Sequence, residues 1–265
     1  MKLFIMLVLL YSFAYSKVYY SKVEPYEFRD ISSNVSGLIT KIDEDMIGKV
    51  LSKYSYILID SVLDTKEYLY TKKKLNYTLE VLYSSEDILK NMRLSLDKKR
   101  KNYKKIKNLK IKSLVEKDRE FHSLVSSENL YLNTKKEIDN LKIKILDLKF
   151  KIASLEKKIN DKKFIADGFL LYSIKVKVGQ VVGISTPLAQ IADISKAKLT
   201  IYLDREDLLN LDNKTVYIDG EKTTYKITRI LKIADSINIS KYKAQIIISS
   251  PSVFSKLVKV ELRDE

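Results

Sequence analysis

Apolar residues in the middle of this chain fall in steps of three and four. Ile138, Leu141, Ile145, Leu148, Ile152, Leu155 and Ile159 make one unbroken run of such steps. That is the a/d seam of a heptad repeat, and it predicts a helix whose apolar stripe faces a partner helix. Toward the N-terminus the same phase meets Thr134, Tyr131, Ser127 and Leu124, so the seam turns polar there. A second run in the same stepping is Leu75, Leu82, Leu89, Met92, Leu96, Tyr103 and Ile106, interrupted by Thr78, Ser85 and Lys99. Two seams of similar length predict two antiparallel helices, each roughly 45 residues and ~70 Å long at the α-helical rise. The reversal is expected near Asn108 to Lys117, although no Gly or Pro marks it.

On either side of this helical region the pattern changes to short strands and glycine turns. Val35-Ser36-Gly37-Leu38-Ile39 leads to Gly48-Lys49-Val50, and Ala166-Asp167-Gly168-Phe169-Leu170 leads to Gly179-Gln180-Val181. Both glycine pairs, Gly37 with Gly48 and Gly168 with Gly179, are 11 positions apart. The four glycines are expected at turns of a small domain split by the helical insert. After Lys198 come Leu199-Thr200-Ile201-Tyr202-Leu203, Val216-Tyr217-Ile218, Tyr225 to Ile230, Ala244 to Ile248 and Leu257 to Leu262. Several short strands at that spacing suggest a small barrel. The expected organisation is a signal peptide over 1–16, a polar lead-in over 17–34, and a first half-domain over 35–60. A helical hairpin over 61–163, a second half-domain over 164–197 and a β-barrel over 198–265 follow. The fold class is α+β.

Composition narrows the chemistry. The chain of 265 residues has no cysteine and one histidine, His122. Disulfides and thiolate metal sites are thereby excluded, and a lone histidine argues against a histidine-based metal site or a Ser-His-Asp triad. Asp43-Glu44-Asp45 could hold a cation, but a solvated loop is the simpler reading. No cofactor is expected. Met1-Lys2, the apolar run from Leu3 to Leu10 and the small-x-small Ala14-Tyr15-Ser16 read as an export signal cleaved before Lys17. The formal net charge is +15. In an exported chain that charge points to anionic surfaces rather than to nucleic acid. Nine Lys or Arg lie between Lys98 and Lys112 with no acid among them: Lys98, Lys99, Arg100, Lys101, Lys104, Lys105, Lys107, Lys110 and Lys112. This concentrates positive charge at the expected hairpin tip.

The order of signal peptide, half-domain, helical hairpin, matching half-domain and β-barrel resembles the periplasmic adaptor, or membrane fusion protein, family (HlyD-like). The local matches are Val35 to Ile39, Val178-Gly179-Gln180-Val181-Val182, Thr186-Pro187-Leu188-Ala189-Gln190-Ile191-Ala192-Asp193, and Leu199 to Leu203 followed by Glu206-Asp207-Leu208. The resemblance implies that the split domain is a biotinyl/lipoyl-like β-sandwich. It implies no covalent cofactor, because the insert occupies the hairpin where a carrier lysine would stand. It also implies that the helical hairpin docks end-on with a TolC-like outer-membrane channel. The channel-contact pattern of the family is an Arg, a Leu four positions later and a Ser seven after that. It falls here on Lys105, Leu109 and Glu116, so only the leucine is kept.

By this resemblance the chain is an adaptor without chemistry of its own, working in the periplasm of a Gram-negative bacterium. It would bridge an inner-membrane efflux transporter, of RND type because no permanent anchor is evident, to the outer-membrane channel. Assembly as a homo-oligomer, a hexamer or trimer of dimers, is implied as well. An ABC-type exporter is the alternative pump. A non-transport coiled-coil protein that binds anionic surfaces through Lys98 to Lys112 is the alternative function.

Overall fold

The structure is a computed structural model that describes residues 17–208, 211–234 and 241–264. The expected signal peptide over 1–16 lies outside the described residues. The chain forms two compact units: residues to Leu58 together with those from Phe164 onward, and Ile59–Lys163.

The second unit is the hairpin. Helix α1 spans Val62–Lys107, 46 residues, and α2 spans Leu114–Asp161, 48 residues. The reversal occupies 108–113, inside the expected window. Leu82 and Leu96 on α1 and Ile138, Ile145, Leu148 and Leu155 on α2 are buried along the seam. Thr71 and Thr78 are also buried on α1. Their hydroxyls donate back to the carbonyls of Glu67 and Lys74, each at 2.7 Å. Bonding to the carbonyl one turn earlier removes the cost of a lone buried hydroxyl. At the open end, Asp64 pairs with Lys158 at 2.8 Å and with Lys162, whose Nζ also donates to the Asp60 carbonyl at 2.5 Å. Lys158 first, then Lys162, hold the Asp64 carboxyl below the usual carboxylate range.

The first unit is built of strands β1 (Val18–Lys22), β2 (Glu24–Ser32), β3 (Gly37–Ile42), β4 (Ile57–Ile59), β5 (Lys163–Phe164), β6 (Leu170–Ile174), β7 (Val181–Val182), β8 (Pro187–Leu203), β9 (Lys214–Ile218), β10 (Glu221–Lys222), β11 (Ile227–Ala234), β12 (Tyr242–Ser249) and β13 (Leu257–Asp264). β4 and β5 are the short strands at which the insert leaves and returns.

The two half-domains interlock. The Ile39 amide donates to the Gln180 carbonyl and the Gly179 amide to the Ile39 carbonyl, both at 2.9 Å. In the same way the Leu171 amide donates to Lys49 at 3.0 Å and the Gly48 amide to Leu171 at 2.8 Å. Each half therefore completes its pairing with the other. Gly48 and Gly179 adopt left-handed φ values of +83° and +85°, where an L side chain is strained. In this frame Ile39 is the counterpart of Leu171, and both are fully buried. The glycine spacing aligns Ile39 with Leu170, so Gly37 and Gly168 are out of step by one residue while Gly48 and Gly179 match. Gly168 sits in a turn with φ +81°. Gly37 does not: it opens β3 opposite Val182. The expectation of a turn at Gly37 is corrected, because a residue paired in a ladder must be extended.

Two expected boundaries also move. Residues 17–34 are not a lead-in but two strands. β1 runs antiparallel to β13 with Tyr20 opposite Lys259, and β2 runs antiparallel to β8. The alternation that places Tyr19, Ser21 and Val23 inward makes β1 a half-buried strand. No break separates 197 from 198, because β8 is one strand of 17 residues. Its first half pairs with β2 and β6 and its second half with β12.

The sheet β1-β13-β9-β10 and the sheet β11-β12-β8-β2 enclose a common core of Tyr19, Val23, Leu199, Ile201, Leu203, Val216, Ile246 and Val260. The Thr200 amide donates to Ser21 Oγ at 2.8 Å, tying β8 to β1. Lys17, the first described residue, pairs with Asp204 and, at 2.8 Å, with Asp207. The Tyr19 hydroxyl donates to the same Asp207 carboxylate at 2.5 Å. Burial opposes ionisation of Asp207 most strongly. The bonds from Lys17, Tyr19 and the Asp204 amide outweigh it and keep the carboxyl low.

Candidate functional site

The end of the hairpin brings together the residues picked out by sequence. Lys105 lies in the last turn of α1 and is exposed. Leu109 lies in the reversal, its amide donating to the Ile106 carbonyl at 3.1 Å. Glu116 lies in the first turn of α2. The Glu116 carboxylate is already engaged. It accepts from the Ser113 amide at 3.1 Å and pairs with Lys112 at 3.0 Å, while Ser113 Oγ accepts from the Glu116 amide at 3.3 Å. This is a reciprocal capping box, which satisfies orphan amides at the start of α2. Lys112 first, then the Ser113 amide, lower the Glu116 pKa. Ser113-Leu114-Val115-Glu116 was the readable signal for the reversal, since no glycine or proline stands there.

The positive patch is less uniform than its composition suggests. Arg100 pairs with Glu128 across the hairpin at 2.9 Å, and Lys112 with Glu116. Lys99 sits in the seam and donates to Ser127 Oγ at 2.7 Å and Ser123 Oγ at 3.2 Å. Lys98, Lys101, Lys104, Lys105, Lys107 and Lys110 are exposed around the end of the hairpin.

Sequence reasoning missed the apolar part of this end. Leu109 is 44% exposed, Ile111 94%, Leu114 75% and Val115 77%. No seam position uses Ile111, Leu114 or Val115, so their apolar surface does nothing for the hairpin itself. Behind them the rings of Tyr103 and Phe121 meet at 5.7 Å, and Phe121 lies 5.8 Å from His122. His122 is exposed on α2.

A second group of exposed apolar residues runs along the outer faces of the helices. On α1 these are Leu63, Tyr70, Tyr77, Val81 and Ile88, and on α2 Leu132, Ile143, Leu146 and Phe150. Their steps are combinations of three, four and seven, so each helix carries a second stripe besides the seam.

Asp43-Glu44-Asp45 does not converge on a point. Glu44 and Asp45 lie in a short 3-10 turn, and Glu44 faces Lys177 at 3.4 Å. Among the described residues no group of three or more His, Cys, Asp or Glu is placed to hold a metal ion. Among them also no helix is long and apolar enough to cross a membrane.

No protein-family model matches the chain, and no curated protein matches it. Solved structures do match. MacA from Actinobacillus actinomycetemcomitans superposes with a TM-score of 0.60 at 21% identity, covering 94% of this chain and 79% of MacA. The membrane fusion protein Spr0693 from Streptococcus pneumoniae R6 gives 0.61 at 11% identity, covering 94% of this chain and 100% of Spr0693. A MacA–MexA chimera carrying the Pseudomonas aeruginosa MexA α-hairpin domain gives 0.56 at 16% identity, covering 94% of this chain and 81% of the chimera. These are membrane fusion or periplasmic adaptor structures, and the chain has their fold.

Proposed function

We propose that this protein is a periplasmic adaptor of a tripartite efflux system, bridging an inner-membrane RND-type pump to a TolC-like outer-membrane channel. The observation that carries the reading is the long capped hairpin with an exposed end, inserted between two interlocked half-domains. The fold shared with membrane fusion proteins supports it. In this reading the split domain is the lipoyl-like sandwich of an adaptor and the two sheets with a common core are its barrel. The signal peptide is cleaved before Lys17, and the protein works in the periplasm of a Gram-negative bacterium. No covalent cofactor and no enzymatic step belong to it.

The exposed stripes on α1 and α2 support self-association. A helix face with Tyr70, Tyr77 and Val81 and another with Ile143, Leu146 and Phe150 suit neighbouring copies in a homo-oligomer, a hexamer or trimer of dimers. Lys105, Leu109 and Glu116 mark the channel-docking end. The carboxylate of Glu116 serves the cap, so Leu109 is the residue on which docking rests.

Leu109→Asp should abolish drug export while the protein remains folded and exported. Intracellular accumulation of a fluorescent efflux substrate in cells measures this. Unchanged accumulation in cells carrying the variant would remove the docking assignment. Copurification from detergent-solubilised membranes separates an RND-type from an ABC-type partner.

A further inference from the structure

The first unit carries a small aromatic cleft that the adaptor reading does not use. Its floor is set by strand register. Phe28 on β2 and Leu170 on β6 both stand opposite Ala192 on β8. Residues directly opposite share one face of a sheet, so the short alanine side chain leaves a depression between two larger ones. The Phe28 and Tyr172 rings meet edge to face beside it, with centroids 5.1 Å apart and planes at 75°. Phe254, in the segment between β12 and β13, lines the cleft and also packs against the core shared by the two sheets. That segment is tied down. The Ser255 amide donates to the Val23 carbonyl at 2.8 Å, and the Val23 amide to the Lys256 carbonyl at 2.9 Å. The cleft encloses about 210 Å³. Phe28 is 44% and Tyr172 54% exposed, so the ring pair leaves much of its apolar surface in water.

We infer that this cleft binds a small aromatic zwitterion, a compound of one or two rings that carries both an ammonium and a carboxylate, as a free aromatic amino acid does. Size sets the ring count. An apolar cavity of ~150 Å³ takes benzene, and drug-sized ligands need ~300 Å³ or more. The lining sets the ring type, because Phe28, Tyr172 and Phe254 offer edges and faces to another aromatic ring. Charge sets the rest. Lys22 and Glu24 both border the cleft. Neither side chain has a hydrogen bond or an ion pair among the described residues. Lys198 stands opposite Glu24 in the β2–β8 ladder, without closing a salt bridge on it. One uncommitted cation and one uncommitted anion beside an aromatic pocket match a ligand that has one of each. An aromatic cation would meet Lys22, and an aromatic anion would meet Glu24, each as a like charge that counts against it. The inference goes beyond the adaptor reading and does not depend on it, because the protein needs neither pump nor channel to fill the cleft.

The chain contains no tryptophan, so the indole fluorescence of a ligand can be read against it without background. The purified protein is titrated into free tryptophan, tryptamine and indole-3-propionate, and fluorescence anisotropy follows binding. Tryptophan should bind about tenfold more tightly than tryptamine, which lacks the carboxylate, or indole-3-propionate, which lacks the ammonium. Lys22→Ala should weaken tryptophan about tenfold and leave tryptamine unchanged, and Glu24→Gln should weaken tryptophan by a similar factor and leave indole-3-propionate unchanged. Phe28→Ala combined with Tyr172→Ala should remove binding of all three compounds. Retained far-UV circular dichroism shows that the variants are folded, and if the double aromatic variant is not, the two charge variants carry the test. No rise in anisotropy with tryptophan at millimolar concentration would overturn the inference. So would tryptamine or indole-3-propionate binding as tightly as tryptophan, or a folded Phe28→Ala, Tyr172→Ala variant binding like the parent. Each of these results leaves the adaptor reading standing, since export by cells carrying Leu109→Asp tests that separately.

Discussion

The two ends of the hairpin are made of similar residues in the same stepping, yet they use them differently. Toward the open end, Ile138, Ile145, Leu148 and Leu155 are buried, and Asp64, Lys158 and Lys162 lock the helices together. Toward the tip, Lys99, Ser123 and Ser127 occupy the seam, and the most apolar side chains face outward. The open end spends its apolar surface on holding two helices together, while the tip keeps its apolar surface for something else. A lever has that division, with stiffness at the root and chemistry at the end.

The comparison breaks most completely at the seam. Ile138→Asp places an unpaired charge where 2% of the residue is exposed, and it should cost more than about 4 kcal/mol. Thermal unfolding followed by far-UV circular dichroism should show loss of the helical signal, whereas Ile111→Asp at the tip should leave the melting curve unchanged. Equal effects at the two positions would erase the distinction between root and end.

Next in size is the ionic lock. Lys162→Ala leaves Asp64 with Lys158 alone and should cost about 3 kcal/mol. The same lock predicts an acid limb. The folded pKa of Asp64 is depressed, so its stabilisation is complete above the unfolded value of about 3.9 and is lost as pH falls through the folded value. Stability of the hairpin should fall below about pH 4, and Asp64→Asn should flatten that limb. An unaltered acid profile in Asp64→Asn would assign the limb to other carboxylates.

The smallest effect belongs to the cap. Ser113→Ala should destabilise the start of α2 by about 1 kcal/mol. Faster amide hydrogen exchange confined to residues 114–117 would register it. Exchange that rises along the whole of α2 instead would mean that the cap governs the hairpin, not just its turn.

The helices were legible because a heptad seam is a local pattern repeated many times, and each repeat reports the same buried face. The reversal was placed within its window but without its cause. Ser113 and Glu116 stand three residues apart, and their reciprocal bonds stabilise the turn where glycine would otherwise be expected. The paired glycine motifs were legible as a repeat but were misaligned by one residue at Gly37. Gly48 and Gly179 are equivalent in the structure, and Gly37 and Gly168 are not. Residues 17–34 look like polar chain in sequence, because β1 and β2 have many exposed residues and are held in place only by pairing with β13 and β8.

By itself the sequence determined what depends on neighbours along the chain: helix period, turn-forming glycines, strand alternation and the bunching of positive charge. The tertiary structure decided what depends on partners far away. The exchange of pairing between Ile39 with Gln180 and Leu171 with Lys49 joins residues 141 and 122 positions apart, and no local pattern encodes which carbonyl an amide will meet. The exposure of Ile111 was decided in the same way. An isoleucine three residues before a helix looks like any core residue until the chain reverses and leaves nothing on its far side.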